Sequence, residues 1–475
     1  MTTIKRVTAL CCAVMLNTAM LTGCGLLEEF VRLDSYTEPA ETEEPGEDSG
    51  TQASQTAITD PTLQTQTQTT VPESADGTAD TQTTASTSVQ TGGIVTGGTQ
   101  VPGTRSSSVQ TSKSRQNGSS GPAQTSDGER TTETTAETSP YDPGDLRVTV
   151  ANMTLEQKAA QMMLVGIVDE ATAKQAAAAG VGGLCMFAKP FKGKSKAQVR
   201  TMDAEIQSKA KIPLLMSVDE EGGTINRVSI NSKLRAVPFW LGRNLYASGG
   251  WDLVISDTKE KAELLLDLGL NVNLAPVADV PLDKSNYIYN RCFSLDPHET
   301  AEYIRTVVTE MKQDGLGSTL KHFPGYGGSV DTHKSMGYDD RDYSAFENGD
   351  FLPFIAGIQA GADAVMVSHN IVKCMDADKP ASLSPAVHRI LREELGFDGV
   401  VISDDLGMDA ITQFTGGKNP AVAAVLAGND LVTFADYKTS VRAITEAVQD
   451  GTIAESQIDA SVLRILNWKH SLGLI

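Results

Sequence analysis

Cysteine is scarce: six occur in 475 residues, no two show a CxxC spacing, and the only neighbours, Cys11 and Cys12, fall within the N-terminal apolar run. That excludes a disulfide framework and a cysteine-based zinc site. Cys185, Cys292 and Cys374 therefore read as small buried apolar side chains. Cations are also short, with 39 Lys and Arg against 60 Asp and Glu and a formal net charge of −21. Nucleic acid and anionic lipid surfaces bind by letting Lys and Arg displace counterions, so a chain this acidic repels both. The acidity reads as a solvated surface, and a neutral or weakly charged substrate is the easiest fit. A glycine-rich phosphate loop is missing too, which counts against a doubly wound open sheet. Finally, the apolar run at 7–20 is too short and wrongly flanked for a membrane span.

That run does have the make-up of an export signal. Lys5 and Arg6 precede it, and Leu21-Thr22-Gly23-Cys24 follows it. Small residues just before a cysteine, directly after such a run, resemble a bacterial lipoprotein signal. The resemblance implies removal of residues 1–23 and acylation of Cys24. The chain would then be held by lipid on the outer face of the cytoplasmic membrane. An ordinary signal peptide with an incidental Cys24 is the plainer alternative. Residues 24–144 are dominated by Thr, Gln, Ser, Gly and Glu, as in Gln64-Thr65-Gln66-Thr67-Gln68. Such a segment cannot bury enough apolar surface to offset its ordering entropy, and it reads as a disordered linker. About 120 residues of flexible coil have a root-mean-square span of roughly 60 Å, enough to carry a following domain outward into a cell wall.

From residue 145 the composition turns to apolar runs punctuated by Gly and Pro, and 145–475 is long enough for one large domain. Eight short runs stand out, at 162–167, 183–187, 213–219, 272–280, 318–323, 364–369, 400–404 and 431–434. Each is nearly continuously apolar, as in a parallel sheet covered on both faces. Helix-like stretches lie between them, for example 196–210, 301–314 and 384–395. Eight β/α units in roughly 330 residues predict an α/β fold, a single (β/α)8 TIM-type barrel following the linker. In that fold all C-terminal strand ends open onto one face, where active sites are built. Asp219, Lys321 with His322, His369 and Asp404 each end a predicted strand. Core packing does not explain polar side chains at four such places.

The densest segment is Lys321-His322-Phe323-Pro324-Gly325-Tyr326-Gly327-Gly328-Ser329-Val330-Asp331-Thr332-His333. Asp331 and His333 can meet in a loop. A carboxylate accepting from one imidazole nitrogen fixes the tautomer and raises the basicity of the other, making a proton donor and acceptor. Asp404, in Ser403-Asp404-Asp405-Leu406, can supply a nucleophilic carboxylate, with Asp405 as a helix N-cap. The glycines at 222–223 and 325–328 suggest tight turns or close ligand approach.

These motifs, with Val218-Asp219-Glu220-Glu221-Gly222-Gly223, Leu274-Ala275-Pro276-Val277-Ala278-Asp279-Val280 and Arg291-Cys292-Phe293-Ser294, resemble glycoside hydrolase family 3. The most similar branch is that of the β-N-acetylglucosaminidases of bacterial cell-wall turnover, and the likeness spans the folded region in order. It implies a retaining exo-glycosidase acting on terminal N-acetyl-β-hexosamine, with peptidoglycan fragments or other oligosaccharides as substrate. Asp404 would be the nucleophile and His333, paired with Asp331, the acid/base. Asp219, Arg227, Arg291, Lys321 and His322 would bind the sugar, with His369 as a weaker contact. No metal or organic cofactor is implied, nor any nucleic-acid partner, and a monomer is expected. The chain departs from the pattern at Tyr326, where many relatives have His, and at Glu220, where Gln is common. Three rivals stand beside this reading. One is a β-glucosidase or β-xylosidase of the same family. Another is a sugar-binding lipoprotein without activity, and the third is a metal-dependent barrel hydrolase using His322, His333, His369 and Asp404.

Overall fold

Eight parallel strands close on themselves in the computed structural model, which describes residues 145–475 apart from residue 330. They are β1 (Met163–Ile167), β2 (Gly183–Met186), β3 (Leu215–Val218), β4 (Val272–Asn273), β5 (Gly317–Phe323), β6 (Ala364–Val367), β7 (Val400–Ser403) and β8 (Val432–Thr433). Neighbours in sequence are neighbours in the sheet, and β8 returns to pair with β1 through Met163 opposite Val432. The ring closes where Ile402 of β7 bridges Leu431, whose amide donates to the Val401 carbonyl at 3.0 Å. Each expected run is a strand of this barrel. Helices cover the outside, so nearly every strand residue is buried and the runs carry no polar alternation. The expected signal at 1–23, Cys24 and the linker at 24–144 lie outside the described residues.

Two expectations need correcting. The fourth run was read as 272–280, but regular pairing stops at Asn273. Pro276 has no amide proton to give to a ladder. The segment nonetheless stays beside β5, its Ala275 and Pro276 carbonyls accepting from Thr319 and Lys321 amides and its Ala278 amide donating to the Lys321 carbonyl. Cys185 and Cys292 are buried as expected, but Cys374 is exposed, in the turn after the short strand Ile371–Val372.

Two features of the packing position the site. The helix Pro297–Asp314 begins before the expected 301, because Asp296 caps it, its Oδ1 accepting from the His298 and Glu299 amides at 2.7 and 3.1 Å, and Pro297 takes the first helical position. It ends at Gly315, whose φ of 78° is easy only for glycine. Its buried face, Ala301, Ile304, Val307, Val308 and Met311, lies over the barrel wall. On β5, Phe323 is fully buried between Phe351, at 5.7 Å between ring centroids, and Phe354, edge-on at 5.2 Å. Burying a ring of this size contributes roughly 1.5–3 kcal/mol, so β5 is firmly held just beyond Lys321 and His322.

Candidate active site

The floor of the barrel mouth is built by the ends of β3 and β5. Lys321 is buried, and its Nζ lies 2.7 Å from Asp219 Oδ1 and 2.6 Å from Glu221 Oε1. Glu221 also takes both forks of Arg291, Nε to Oε2 at 2.9 Å and Nη2 to Oε1 at 2.8 Å. Burial alone would raise this carboxyl. Arg291 and Lys321 outweigh it and hold the group far below the usual carboxylate range. Arg291 Nη2 donates in turn to His322 Nε2 at 3.2 Å, while His322 Nδ1 lies 2.7 Å from Asp279 Oδ2. A guanidinium can only donate, so Nε2 is the acceptor and Nδ1 carries the proton. The result is one continuous line, Asp219–Lys321–Glu221–Arg291–His322–Asp279. Lys321 and His322 are adjacent on β5 yet both serve it, and the ladder with β6 shifts register across them, as a bulge does when it re-aims a side chain.

Arg227 enters from the loop after β3. Gly222 and Gly223 let that loop double back, with φ of 96° and 68°, and a Cβ on Gly222 would fall 2.3 Å from the Trp240 carbonyl oxygen. Glu220, fully buried, ties the return. Its carboxylate accepts from the amides of Arg227, Val228 and Ser229 at 2.8, 2.7 and 3.0 Å and from the Ser229 hydroxyl. Arg227 itself stands 5.8 Å from the Phe187 ring at the end of β2, its buried Nε without a hydrogen-bond partner among the described residues.

Asp404 follows β7, its amide donating to the Val367 carbonyl at 3.0 Å and its Oδ1 accepting from the Asp405 amide at 2.9 Å. Burial pushes its carboxyl up, but His369, His322 and His333 pull it below the ordinary value, so it is an anion among imidazoles. His369 is fully buried. Its Nε2 donates to the Asp405 carbonyl at 2.8 Å and its Nδ1 accepts from the Ser382 hydroxyl at 2.7 Å, so both ring nitrogens are committed to holding the backbone behind Asp404. Asp405 does not cap the next helix, as had been expected. That helix, Asp409–Thr415, starts after Met408, and the Asp405 carboxylate instead accepts from the Gly407 amide at 2.8 Å within the intervening turn.

The third element is the pair expected from sequence. His333 Nδ1 lies 2.8 Å from Asp331 Oδ1, which also accepts from the His333 amide at 3.1 Å. Burial tends to raise the Asp331 carboxyl, but these bonds leave it lowered and anionic. The pair is open to solvent, His333 having a side chain 48% exposed. The preceding glycines serve contacts within the protein: a Cβ on Gly325 would fall 2.3 Å from Asp350 Oδ1 and one on Gly328 2.6 Å from Asp339 Oδ2. Arg341 binds both carboxylates, at 2.8 Å each. The ribbon thus runs directly over this buried ionic cluster.

Every expected site residue among those described lies at the C-terminal mouth or directly behind it. Glu221, Asp279 and Ser382 were not singled out. Asp279 stood one residue before the end of an expected strand, the kind of position that had marked Asp219, Lys321, His322, His369 and Asp404; for Ser382 no local signal existed.

The family model described as "Glycosyl hydrolase family 3 N terminal domain" matches residues 154–468. A curated β-hexosaminidase of Xanthomonas oryzae pv. oryzae is 36% identical over 259 residues, covering 53% of this chain and 75% of that protein. The solved structure of a glycoside hydrolase family 3 β-N-acetylglucosaminidase from Paenibacillus sp. is similar with a TM-score of 0.64 and 32% identity, over 68% of this chain and 63% of that one. A β-N-acetylhexosaminidase structure from Beutenbergia cavernae gives 0.59 and 26%, over 67% of this chain and 99% of that one.

Proposed function

Because this chain belongs to glycosyl hydrolase family 3, we propose that it is a retaining exo-glycosidase removing terminal, non-reducing N-acetyl-β-hexosamine units from sugar chains. The observation that carries this reading is the meeting of three unlike groups at one barrel mouth. They are the anionic Asp404, the Asp331–His333 pair whose charge bears on it, and the Lys321-centred ionic floor. Binding a sugar needs the floor alone; a carboxylate held anionic near imidazoles serves bond cleavage.

In the first step an Asp404 oxygen attacks the anomeric carbon while imidazolium His333 gives its Nε2 proton to the departing glycosidic oxygen. In the second, neutral His333 takes a proton from water, whose oxygen attacks the same carbon. The Asp404 ester bond then breaks and both groups are restored. Asp331 holds the tautomer throughout by accepting from Nδ1. Arg227, Arg291, Lys321, His322 and Asp219 bind the sugar hydroxyls and the acetamido group, and no step calls for a metal or organic cofactor. The chain is exported, anchored through acylated Cys24, and acts as a monomer on peptidoglycan or muropeptide fragments. The support for this setting is the Lys5–Cys24 sequence and the Thr- and Gln-rich run that follows it.

The test is release of 4-nitrophenol from its N-acetyl-β-glucosaminide and from its β-glucoside. Turnover of the acetamido sugar is expected, falling on the order of 10⁴-fold in Asp404→Asn. Turnover of the glucoside alone would keep the family and overturn the sugar. Folded protein inactive on both would leave a sugar-binding role.

A further inference from the structure

Asp331 and His333 stand on an exposed stretch, yet an acid/base catalyst must be held to within about 1 Å. Something has to anchor it. Among residues 331–336 only Thr332, lying between the two, is buried, at 1% exposure. Its Oγ1 is 2.8 Å from the Tyr326 hydroxyl. That same phenol oxygen accepts from the His369 amide at 3.2 Å, so one hydroxyl bridges the two, with either hydroxyl able to donate in the bond to Thr332. Tyr326 cannot drift either. It is 2% exposed, its amide donates to Asp279 Oδ1 at 2.8 Å, and its ring lies 5.0 Å from His322 and 5.7 Å from Tyr287.

We infer that the Tyr326 hydroxyl is a positioning group for the acid/base, pinning Thr332 to the end of β6 and so fixing where His333 presents Nε2. The inference rests on the reading of His333 as acid/base. Tyr326 thereby joins the end of β5, the backbone after β6 and the dyad, and its main-chain amide ties it through Asp279 to the ionic floor. Burial, reinforced by Asp404, pushes the hydroxyl well above its ordinary titration range, so it stays protonated at every working pH. Threonine between Asp331 and His333 gains a role by the same argument, because a methyl-bearing isostere would fill the space without making the bond.

The experiment uses Tyr326→Phe, Thr332→Val and the double variant, with two readouts. The first is kcat/KM, which reports the first chemical step, across aryl N-acetyl-β-glucosaminides from 2,4-dinitrophenyl to phenyl. Each single variant should lose about 10- to 100-fold on the phenyl glycoside and under about 3-fold on the dinitrophenyl one. The double variant should lose no more than the worse single, since both break one link. Thr332→Val leaves the His369 amide its acceptor and isolates that link. The second readout is tryptic cleavage of the native protein after Lys334, whose side chain is 83% exposed; it should quicken in both variants. Unchanged cleavage would overturn the anchor whatever the activity. Faster cleavage with equal loss on every leaving group would overturn the positioning of His333. A wild type inactive on all of them would remove the proposed function itself, and cleavage would then report the anchor alone.

Discussion

The ionic floor and the dyad stretch lie at the same barrel mouth and are built on opposite principles. In the floor every charge is answered at short range: Lys321 by Asp219 and Glu221, Glu221 by Arg291, His322 by Asp279. Lys321, Glu221, His322 and Asp279 are buried and Asp219 and Arg291 half-buried, and the strand that carries Lys321 and His322 is backed by an aromatic core. The dyad has one internal contact pair, a solvent-open histidine and one buried residue between its members. The difference follows from what each does in the proposed reaction. Binding groups gain from being preorganised before the sugar arrives. A proton carrier must exchange with water and admit varied leaving groups, so it sits at the rim and is steadied from below.

The contrast makes opposite demands of two substitutions. His333→Ala should give the larger loss of activity, about 10²- to 10⁴-fold in kcat/KM on a phenyl glycoside, with stability unchanged to within about 0.5 kcal/mol because the side chain is half exposed. Arg291→Met should do the reverse in kind. It removes the half-buried partner of a buried carboxylate, leaving Glu221 to Lys321 alone and His322 Nε2 without its donor, and should cost about 3 kcal/mol of stability along with substrate affinity. Urea unfolding and leaving-group kinetics on the two variants check the pair. If His333→Ala destabilised the protein as much as Arg291→Met, the division between a structural floor and a replaceable rim would collapse.

Much of this was legible in the sequence, and what escaped did so for physical reasons. The eight strands showed because burial on both faces leaves apolar runs with no competing pattern. Asp219, Lys321, His322 and Asp404 stood out because a polar side chain ending such a run has no packing explanation. Partner identity was not legible. Lys321 meets Asp219 across 102 residues, Arg291 meets Glu221 across 70 and His322 meets Asp279 across 43, and only barrel closure sets those meetings. Glu221 was therefore quoted as part of a motif while its place at the centre of the floor stayed hidden. Tyr326 was noticed as a departure from a family pattern, but its role needs the backbone after β6, another strand's contribution. Asp405 was misread because its side chain had two local uses, and the nearer turn at Gly407 took it.

The smallest effect separates the two regions by their response to pH. Under the glycine ribbon that leads to the dyad, burial pushes the Asp350 carboxyl up to about 6 despite its bond to Arg341. An unfolded aspartate titrates near 3.9. Below about 4 both states keep the proton, and above about 6 both have lost it. Between these limits the unfolded chain ionises first, so stability falls as pH rises and stays lower beyond. A shift of about two units corresponds to about 3 kcal/mol. Asp350→Asn, which does not titrate, should therefore gain about that much on wild type between pH 4 and pH 7, measured by urea unfolding at each. Glu221 in the floor behaves oppositely. Held far below its usual range, its contribution is complete above pH 4.5 and erodes only in stronger acid. Above pH 4.5 Glu221 should therefore add no pH dependence while the support of the dyad loosens. A wild-type to Asp350→Asn difference that is the same at both pH values would show that the ribbon rests on an ordinary ion pair, with no pH-dependent difference between the two regions.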